Sequence, residues 1–256
     1  MNKKEYLKIN ESMIKDKIVV DLACHDGEST ALIQSLGSEK VLAVEIREHL
    51  LSKAQQHVKG NVQWYHGDIT NAGLIVPLIE QSNTVIVLGV LYHLFDHFRF
   101  LSNVLRPNIE HCLIETVCGP ESLNPEMFWG FEKTNDDRNG FFGNHDRIAH
   151  GTPNTAWIIE AAKIFGFECD WIHYYGHHRK KNVTHITMEE YINVAGPDWP
   201  GYDQLVLNQN IPVFVKQELE QMLGDFESKR MILRLYNTEK VNSTPLSLKD
   251  IYYWPL

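Results

Sequence analysis

The segment from Val19 to Thr30 constrains the fold more than any other part of the sequence. It contains a short apolar run that ends at Asp21, a turn that closes at Gly27, and the start of a helix rich in hydroxyl side chains. A β-branched run without polar alternation is typical of a strand buried in a parallel sheet. Because open α/β sheets bind ligands where such strands end, the loop after this strand is the predicted ligand site.

A second acidic residue follows at a spacing that indicates the kind of ligand. Glu45 ends the next apolar run, residues 41–44, and lies eighteen residues after Gly27. A carboxylate in this position can accept hydrogen bonds from both hydroxyls of a ribose. Ala23 and His25 stand where dinucleotide-binding loops need glycine for close approach to a pyrophosphate, and we expect His25 to avoid a positive φ. The pattern therefore favours a nucleoside ligand without a pyrophosphate.

The loop resembles the first motif of the class I S-adenosylmethionine-dependent methyltransferases, an acid followed by three alternating glycines. Further matches follow in the order of that family, over residues 16–175. Val62 to Ile69 resembles the third strand and its adenine-binding acid. Gly89 to Leu94 resembles the fourth motif of small-molecule methyltransferases and of the tRNA wobble-uridine carboxymethyltransferases, and Glu115 is placed as in the latter.

The resemblance implies an α/β fold, a Rossmann-like seven-stranded sheet that is mostly parallel with a terminal antiparallel hairpin. It implies S-adenosyl-L-methionine as the cofactor, with His93 as a general base or a structural residue and Tyr92 beside it in the catalytic site. The predicted cofactor-binding residues are Asp21, Ala23, Cys24, His25, Gly27, Glu28, Glu45, Ile46, Asp68, Ile69, Gly89, Val90 and Leu91.

Methyl transfer to a small molecule is the first functional hypothesis. RNA, in particular tRNA, is the second acceptor class, and a protein that binds or cleaves S-adenosylmethionine without methyl transfer is a third alternative. The net charge of −9 disfavours tight binding to a nucleic acid backbone, and the Asn-Pro-Pro-Tyr motif of DNA base methyltransferases is absent from the sequence. Carboxymethyl transfer is disfavoured because only about twenty residues precede the first motif.

The predicted domain organisation is a methyltransferase domain over residues 1–188 and a C-terminal helical extension over 189–256. Turn-forming and aromatic residues at 119–154 predict a loop or short-helix insertion that covers the acceptor site. Residues 169–175 and 182–188 are the predicted hairpin strands. Apolar residues at three- and four-residue steps predict a helix from Pro212 to Leu235. The apolar tail is expected to dock on the domain or to form a homodimer contact.

Bulk properties predict a cytoplasmic protein. At 256 residues and 43% hydrophobic residues the chain can form one core domain, and it has no apolar run long enough for a membrane span. Its four cysteines lack metal-site spacing and are predicted to be reduced. No metal is predicted, since neither His145-Asp146 with His150 nor His173 with His177 forms a convincing ligand set. The basic segment 177–181 is either a solvated turn or an RNA contact.

Overall fold

The computed structural model describes residues 3–119, 124–133, 147–178, 186–187, 226–243 and 245. Two single-turn 3₁₀ helices, Glu11–Met13 and Leu91–His93, lie between the regular elements. The helices are α1 Lys3–Ile9, α2 Glu28–Ser35, α3 Glu48–His57, α4 Ala72–Glu80, α5 His97–Val104 and α6 Thr155–Ile164. The strands are β1 Ile18–Leu22, β2 Lys40–Glu45, β3 Val62–His66, β4 Thr84–Leu88, β5 His111–Val117, β6 Met127–Lys133, β7 Arg147–Pro153, β8 Phe167–His178, β9 Ile186–Thr187 and β10 Phe226–Asn237.

The main sheet has the strand order β3-β2-β1-β4-β5-β10-β8-β9. Strands β1 to β5 are parallel to one another, whereas β10 runs antiparallel to both β5 and β8. The order reverses between β1 and β4, the position at which open α/β sheets bind ligands. The predicted Rossmann-like sheet, mostly parallel with an antiparallel part, is therefore confirmed.

Both faces of the central part of the sheet are covered, which explains why strands such as β1 and β4 have apolar residues at consecutive positions. Val20 of β1 packs in a cluster with residues of α4, α5 and α6, including Phe100 and Ile159. Val19, the next residue before it, faces the opposite cluster, which contains Tyr6 of α1 and Ile33 of α2. Successive side chains of a strand point to opposite faces, so a doubly covered strand needs apolar residues at consecutive positions.

The predicted helix from Pro212 to Leu235 is wrong over residues 226–235, which form most of β10. Met231 and Leu233 enter one core cluster and Ile232 enters the other, the period-two pattern of a doubly buried strand. The three- and four-residue spacing that indicated the helix is strongest before residue 226. Residues 212–225 lie outside the described residues.

Strand β10 also changes the predicted organisation of the C-terminal half. It returns to the sheet from beyond residue 188 and is the long partner of β8, with Ile232 opposite His173. Of the predicted hairpin partner, residues 182–188, the described residues are those of β9, which pair with Tyr175 and Gly176. The division at residue 188 otherwise stays a prediction, and the apolar tail lies outside the described residues.

The insertion at 119–154 contains a β-hairpin where the sequence predicted a loop or short helices. Strands β6 and β7 pair antiparallel from Met127 opposite Pro153 to Lys133 opposite Arg147. The buried Asn154 fixes its base, because its Oδ1 accepts from the backbone N–H groups of Glu126 and Trp157 at 3.1 and 2.9 Å. The same side chain thus closes the hairpin and caps α6.

Candidate functional site

The loop after β1 has three left-handed residues at alternate positions. Ala23 has φ +60°, His25 has φ +56° and Gly27 has φ +86°. The expectation that His25 avoids a positive φ is therefore wrong. Two of the three residues carry a Cβ atom in this conformation, which costs about 1–2 kcal/mol per non-glycine residue. The backbone thus has the shape that three glycines would favour, and contacts around the loop must hold it there.

Those contacts begin at the ends of the loop. The carboxylate of Asp21 is buried and accepts hydrogen bonds from the hydroxyls of Ser29 and Thr30, at 3.0 and 2.6 Å. A Cβ on Gly27 would lie 2.7 Å from Val58 Cγ2, so this position has no room for a side chain. Asp21 therefore fastens the end of β1 to the start of α2.

Four other predicted cofactor-binding residues surround this loop or lie at its ends. The Cys24 backbone N–H donates to Val44 O at 3.0 Å, and burial raises the pKa of the Cys24 thiol well above its ordinary value. Glu28 begins α2 with an exposed side chain. Ile46 follows β2, and its carbonyl contacts His66 Nε2 at 2.8 Å. Ala23 is half-buried against the core.

The rim of the loop carries a charged pair. Asp26 Oδ2 lies 2.8 Å from Lys53 Nζ, and Asp26 Oδ1 lies 3.3 Å from His25 Nδ1. The hydrogen bond from Lys53 is the largest cause that lowers the pKa of Asp26 to about 2. Asp26 is therefore ionised at neutral pH and fixes the rim to α3.

Glu45, at the end of β2, holds the middle of the loop. Only 1% of the residue is exposed, and its Oε2 accepts from the His25 backbone N–H at 2.8 Å. Its Oε1 accepts from the backbone N–H of Arg47 at 3.0 Å and from Arg47 Nε at 2.8 Å. Burial opposes ionisation of the carboxyl, but the hydrogen bonds and charge of Arg47 outweigh it, so the pKa of Glu45 is lowered.

Asp68 and Ile69 follow β3, next to the end of β2. Asp68 is half-buried and its Oδ1 accepts from the Thr70 backbone N–H at 2.8 Å, while Ile69 is buried. The N–H of Gly67 donates to Glu45 O at 3.1 Å, which ties the two strand ends together. The structure therefore brings the predicted ribose and adenine residues to adjacent strand ends.

The segment after β4 completes the same edge. Gly89 has φ +70°, and its N–H donates to Glu115 O at 2.9 Å. After Val90 the chain forms the 3₁₀ turn Leu91–His93, in which Leu91 is buried. The rings of Tyr92 and His93 lie 4.0 Å apart between centroids. The two predicted catalytic residues thus occupy one short, anchored turn.

One residue of this edge was missed from the sequence. Arg230 Nη1 donates to Glu115 Oε1 at 2.7 Å, and Arg230 Nη2 donates to the Tyr92 hydroxyl at 3.2 Å. Its guanidinium also lies 5.2 Å from the Tyr92 ring centroid. Burial opposes its charge, but Glu115 and Tyr92 raise the pKa of Arg230 above its ordinary value. The consecutive apolar residues 231–233, typical of a doubly buried strand, were the available signal for the strand that carries it.

The hairpin β6–β7 packs beside this turn. The buried His97, at the start of α5, makes edge contacts with Trp129 of β6 and Trp157 of α6, at 6.0 and 5.9 Å between centroids. A Cβ on Gly151 of β7 would lie 2.6 Å from His97 Cε1. Trp129 also contacts Phe95 at 5.0 Å, and these two rings stay 56% and 64% exposed. Strand β7 therefore lies against the turn that carries Tyr92 and His93, and Trp129 of β6 contacts rings that follow this turn.

The other candidate sites do not assemble in the described part of the chain. There, no group of three or more His, Cys, Asp or Glu side chains could hold a metal ion. His145 and Asp146 lie outside the described residues, and His173 and His177 lie on strand β8, not on a helix. The basic segment is described only at His177 and His178. Within the described ranges, no helix is long and apolar enough to cross a membrane. All four cysteines are buried.

The fold agrees with comparisons to known proteins. Residues 19–108 match the model of a methyltransferase domain. No curated protein matches the sequence. Among solved structures, an S-adenosylmethionine dependent methyltransferase from Mesorhizobium loti shares 12% identity at a TM-score of 0.55, over 91% of this chain and 97% of that chain.

Two further solved structures have the same fold. The N-terminal domain of EvdMO1 with SAH bound shares 12% identity at a TM-score of 0.55, over 93% of this chain and 81% of that chain. The [4+2]-cyclase SpnF shares 11% identity at a TM-score of 0.52, over 91% of this chain and 80% of that chain. The chain therefore has the Rossmann-like fold of class I methyltransferases.

Proposed function

We propose that the protein binds S-adenosylmethionine and transfers its methyl group to a small-molecule acceptor. The observation that carries the proposal is the loop from Asp21 to Gly27, which has positive φ at Ala23, His25 and Gly27. The loop keeps the backbone shape of a glycine motif although two glycines are missing, and its middle is bonded to Glu45. A conformation that costs free energy and clusters at a strand end supports a ligand-binding role.

The residues along the sheet edge fit the parts of this cofactor. The carboxylate of Glu45 is ionised and suited to the two ribose hydroxyls, and Asp68 can accept from the adenine amino group beside the apolar Ile69. The loop at 23–27, with Val90 and Leu91, would surround the methionine part. When bound, the cofactor supplies an activated methyl group on a sulfonium. The main task of the protein is therefore to orient the acceptor and exclude water.

Tyr92 and His93 are the groups proposed to act on the acceptor. Both lie in the turn after β4, and Tyr92 is held by a hydrogen bond from Arg230. If the acceptor is a hydroxyl or an amine, His93 is suited to accept its proton, and Tyr92 can donate a hydrogen bond or form the wall. The structural role of His93 remains the alternative.

The choice of a small acceptor is supported by the hairpin β6–β7 and by the net charge. Strand β7 packs against the 3₁₀ turn, and Trp129 of β6 contacts His97 of α5. These contacts would narrow the approach of an acceptor to Tyr92 and His93 from that side. The chain is acidic overall, with a net charge of −9, which opposes binding to an RNA backbone. The resemblance of residues 89–94 to the wobble-uridine family, and with it an RNA acceptor, stays a second hypothesis.

Two measurements test the proposal in order. Calorimetric titration with S-adenosylhomocysteine should give saturable binding to the full chain, and absence of heat at high concentration would exclude the cofactor assignment. Incubation with S-adenosylmethionine and pools of small metabolites should then give S-adenosylhomocysteine. Production of S-adenosylhomocysteine only when RNA is supplied as the acceptor would favour the second hypothesis, an RNA methyltransferase. Loss of S-adenosylmethionine without an acceptor would instead show a cleaving enzyme, and binding without turnover a binding protein.

A further inference from the structure

The carboxylate of Glu45 is already saturated by the protein. Its two oxygens accept four hydrogen bonds, from the backbone N–H groups of His25 and Arg47 and from Nε and Nη2 of Arg47. A carboxylate has about four lone-pair positions, so a ribose finds none vacant. A ribose diol can bind Glu45 in the proposed way only if two of these donors leave.

The two donors that can leave belong to the Arg47 side chain. The backbone donors are fixed by the loop after β1 and by the start of α3, whereas the Arg47 side chain is 21% exposed and can adopt another rotamer. Its Nε lies 2.8 Å from Oε1, and its Nη2 lies 3.3 Å from Oε2. The guanidinium therefore places one donor on each oxygen, the same pattern as two neighbouring hydroxyls.

We propose that Arg47 occupies the ribose position of its own binding site and must leave Glu45 when the cofactor binds. The fork of the guanidinium imitates the ribose diol, donor for donor. This inference rests on the proposed function, since it concerns the same site. Its consequence is that Arg47 lowers cofactor affinity, because only the fraction of molecules with the guanidinium displaced is competent to bind.

Substitution of Arg47 separates this role from a supporting one. Arg47→Met keeps the backbone N–H and the aliphatic stem but removes both competing donors, and we expect S-adenosylhomocysteine to bind about tenfold more tightly. Arg47→Lys has a single ammonium that cannot span both oxygens, so its affinity should lie between the two. Arg106→Met, which breaks the exposed pair with Glu80, is the control with the same charge change and should bind as the unaltered chain does.

Calorimetry at pH 8 is the decisive measurement, at a pH where Glu45 of the unaltered chain is ionised. Equal or weaker binding by Arg47→Met, with normal binding by the unaltered chain, would overturn the inference and leave the proposed function intact. If the unaltered chain, Arg47→Met and Arg47→Lys all fail to bind S-adenosylhomocysteine, the proposed function itself is wrong.

A second measurement on the unaltered chain covers the case in which Arg47→Met does not fold. In protein labelled with ¹⁵N-arginine, the Nε–H signal of Arg47, assigned by its loss in Arg47→Lys, should be protected from exchange with water. Saturating S-adenosylhomocysteine should shift this signal and speed its exchange. A signal that stays in place at saturation would show that the guanidinium remains on Glu45, and the inference would be overturned.

Discussion

The two halves of the sheet edge are built in different ways. In the first half, strands β1 to β3 and the loop after β1, each key contact joins residues that are close in sequence, such as Asp21 with Thr30 or His25 with Glu45. In the second half, Tyr92 and Glu115 depend on Arg230, which lies 138 and 115 residues away. Local contacts can be read from a motif, whereas long-range partners require knowledge of the strand order.

The largest expected change in stability comes from the second half of the sheet edge, where the contacts are long-range. Arg230→Met should destabilise the fold by about 3 kcal/mol, because it leaves the buried Glu115 carboxylate without its guanidinium. The control Arg106→Met breaks an exposed pair and should cost between about 0 and 1 kcal/mol. Urea denaturation of both variants measures the difference. Equal costs would mean that the Glu115–Arg230 pair is no stronger than a surface contact, and would remove the distinction between the halves.

In the first half of the sheet edge, where the contacts are local, substitutions should affect cofactor binding more than folding. Glu45→Ala should weaken S-adenosylhomocysteine binding by about 1.5–3 kcal/mol, the range for hydrogen bonds to a charged group. Glu80→Ala removes an exposed carboxylate of α4 and serves as the matched control. Calorimetry measures both. Unchanged affinity in Glu45→Ala would show that Glu45 does not bind the ribose. The hydrogen bond between Glu45 and the loop after β1 would then have no role in binding the ligand.

Glycine substitutions in the strained loop after β1 should change the stability less than Arg230→Met does, and in the opposite direction. Ala23→Gly and His25→Gly should each stabilise the chain by about 0.5–1 kcal/mol, because glycine adopts positive φ without a Cβ penalty, partly offset by its greater freedom when unfolded. Ala31→Gly, at an exposed position within α2, should instead destabilise by about 1 kcal/mol. If the loop variants also lose stability in thermal unfolding, the loop is not strained at these residues.

The contrast between local and long-range contacts explains which predictions from the sequence hold. The parallel strands β1, β2, β4 and β5 were recognisable because each is a buried apolar run followed by a turn. The structure places Glu45, Asp68 and Gly89 at the carboxyl ends of β2, β3 and β4, on one edge of the sheet. Strand β10 was mistaken for part of a helix because the amphipathic pattern of the preceding residues was extended through it, and Arg230 was missed as a result. The left-handed His25 was not foreseen because local preference for negative φ is overridden by the bond to Glu45.

The smallest expected effect tests the charged rim of the loop. The folded-state pKa of Asp26 is about 2, below its ordinary value of 3.8, so its contribution to stability is present above pH 4 and is lost as the pH falls through 2. Lys53→Met should raise the pKa of Asp26 toward 3.8, as measured by NMR titration. Because the pair is largely exposed, the loss of stability at neutral pH should be under about 0.5 kcal/mol and should shrink with added salt. Lys163→Met, which breaks the exposed pair with Glu160, should leave the Asp26 titration unchanged. A pKa that stays near 2 in Lys53→Met would show that the His25 side chain, and not Lys53 of α3, keeps the pKa of Asp26 low.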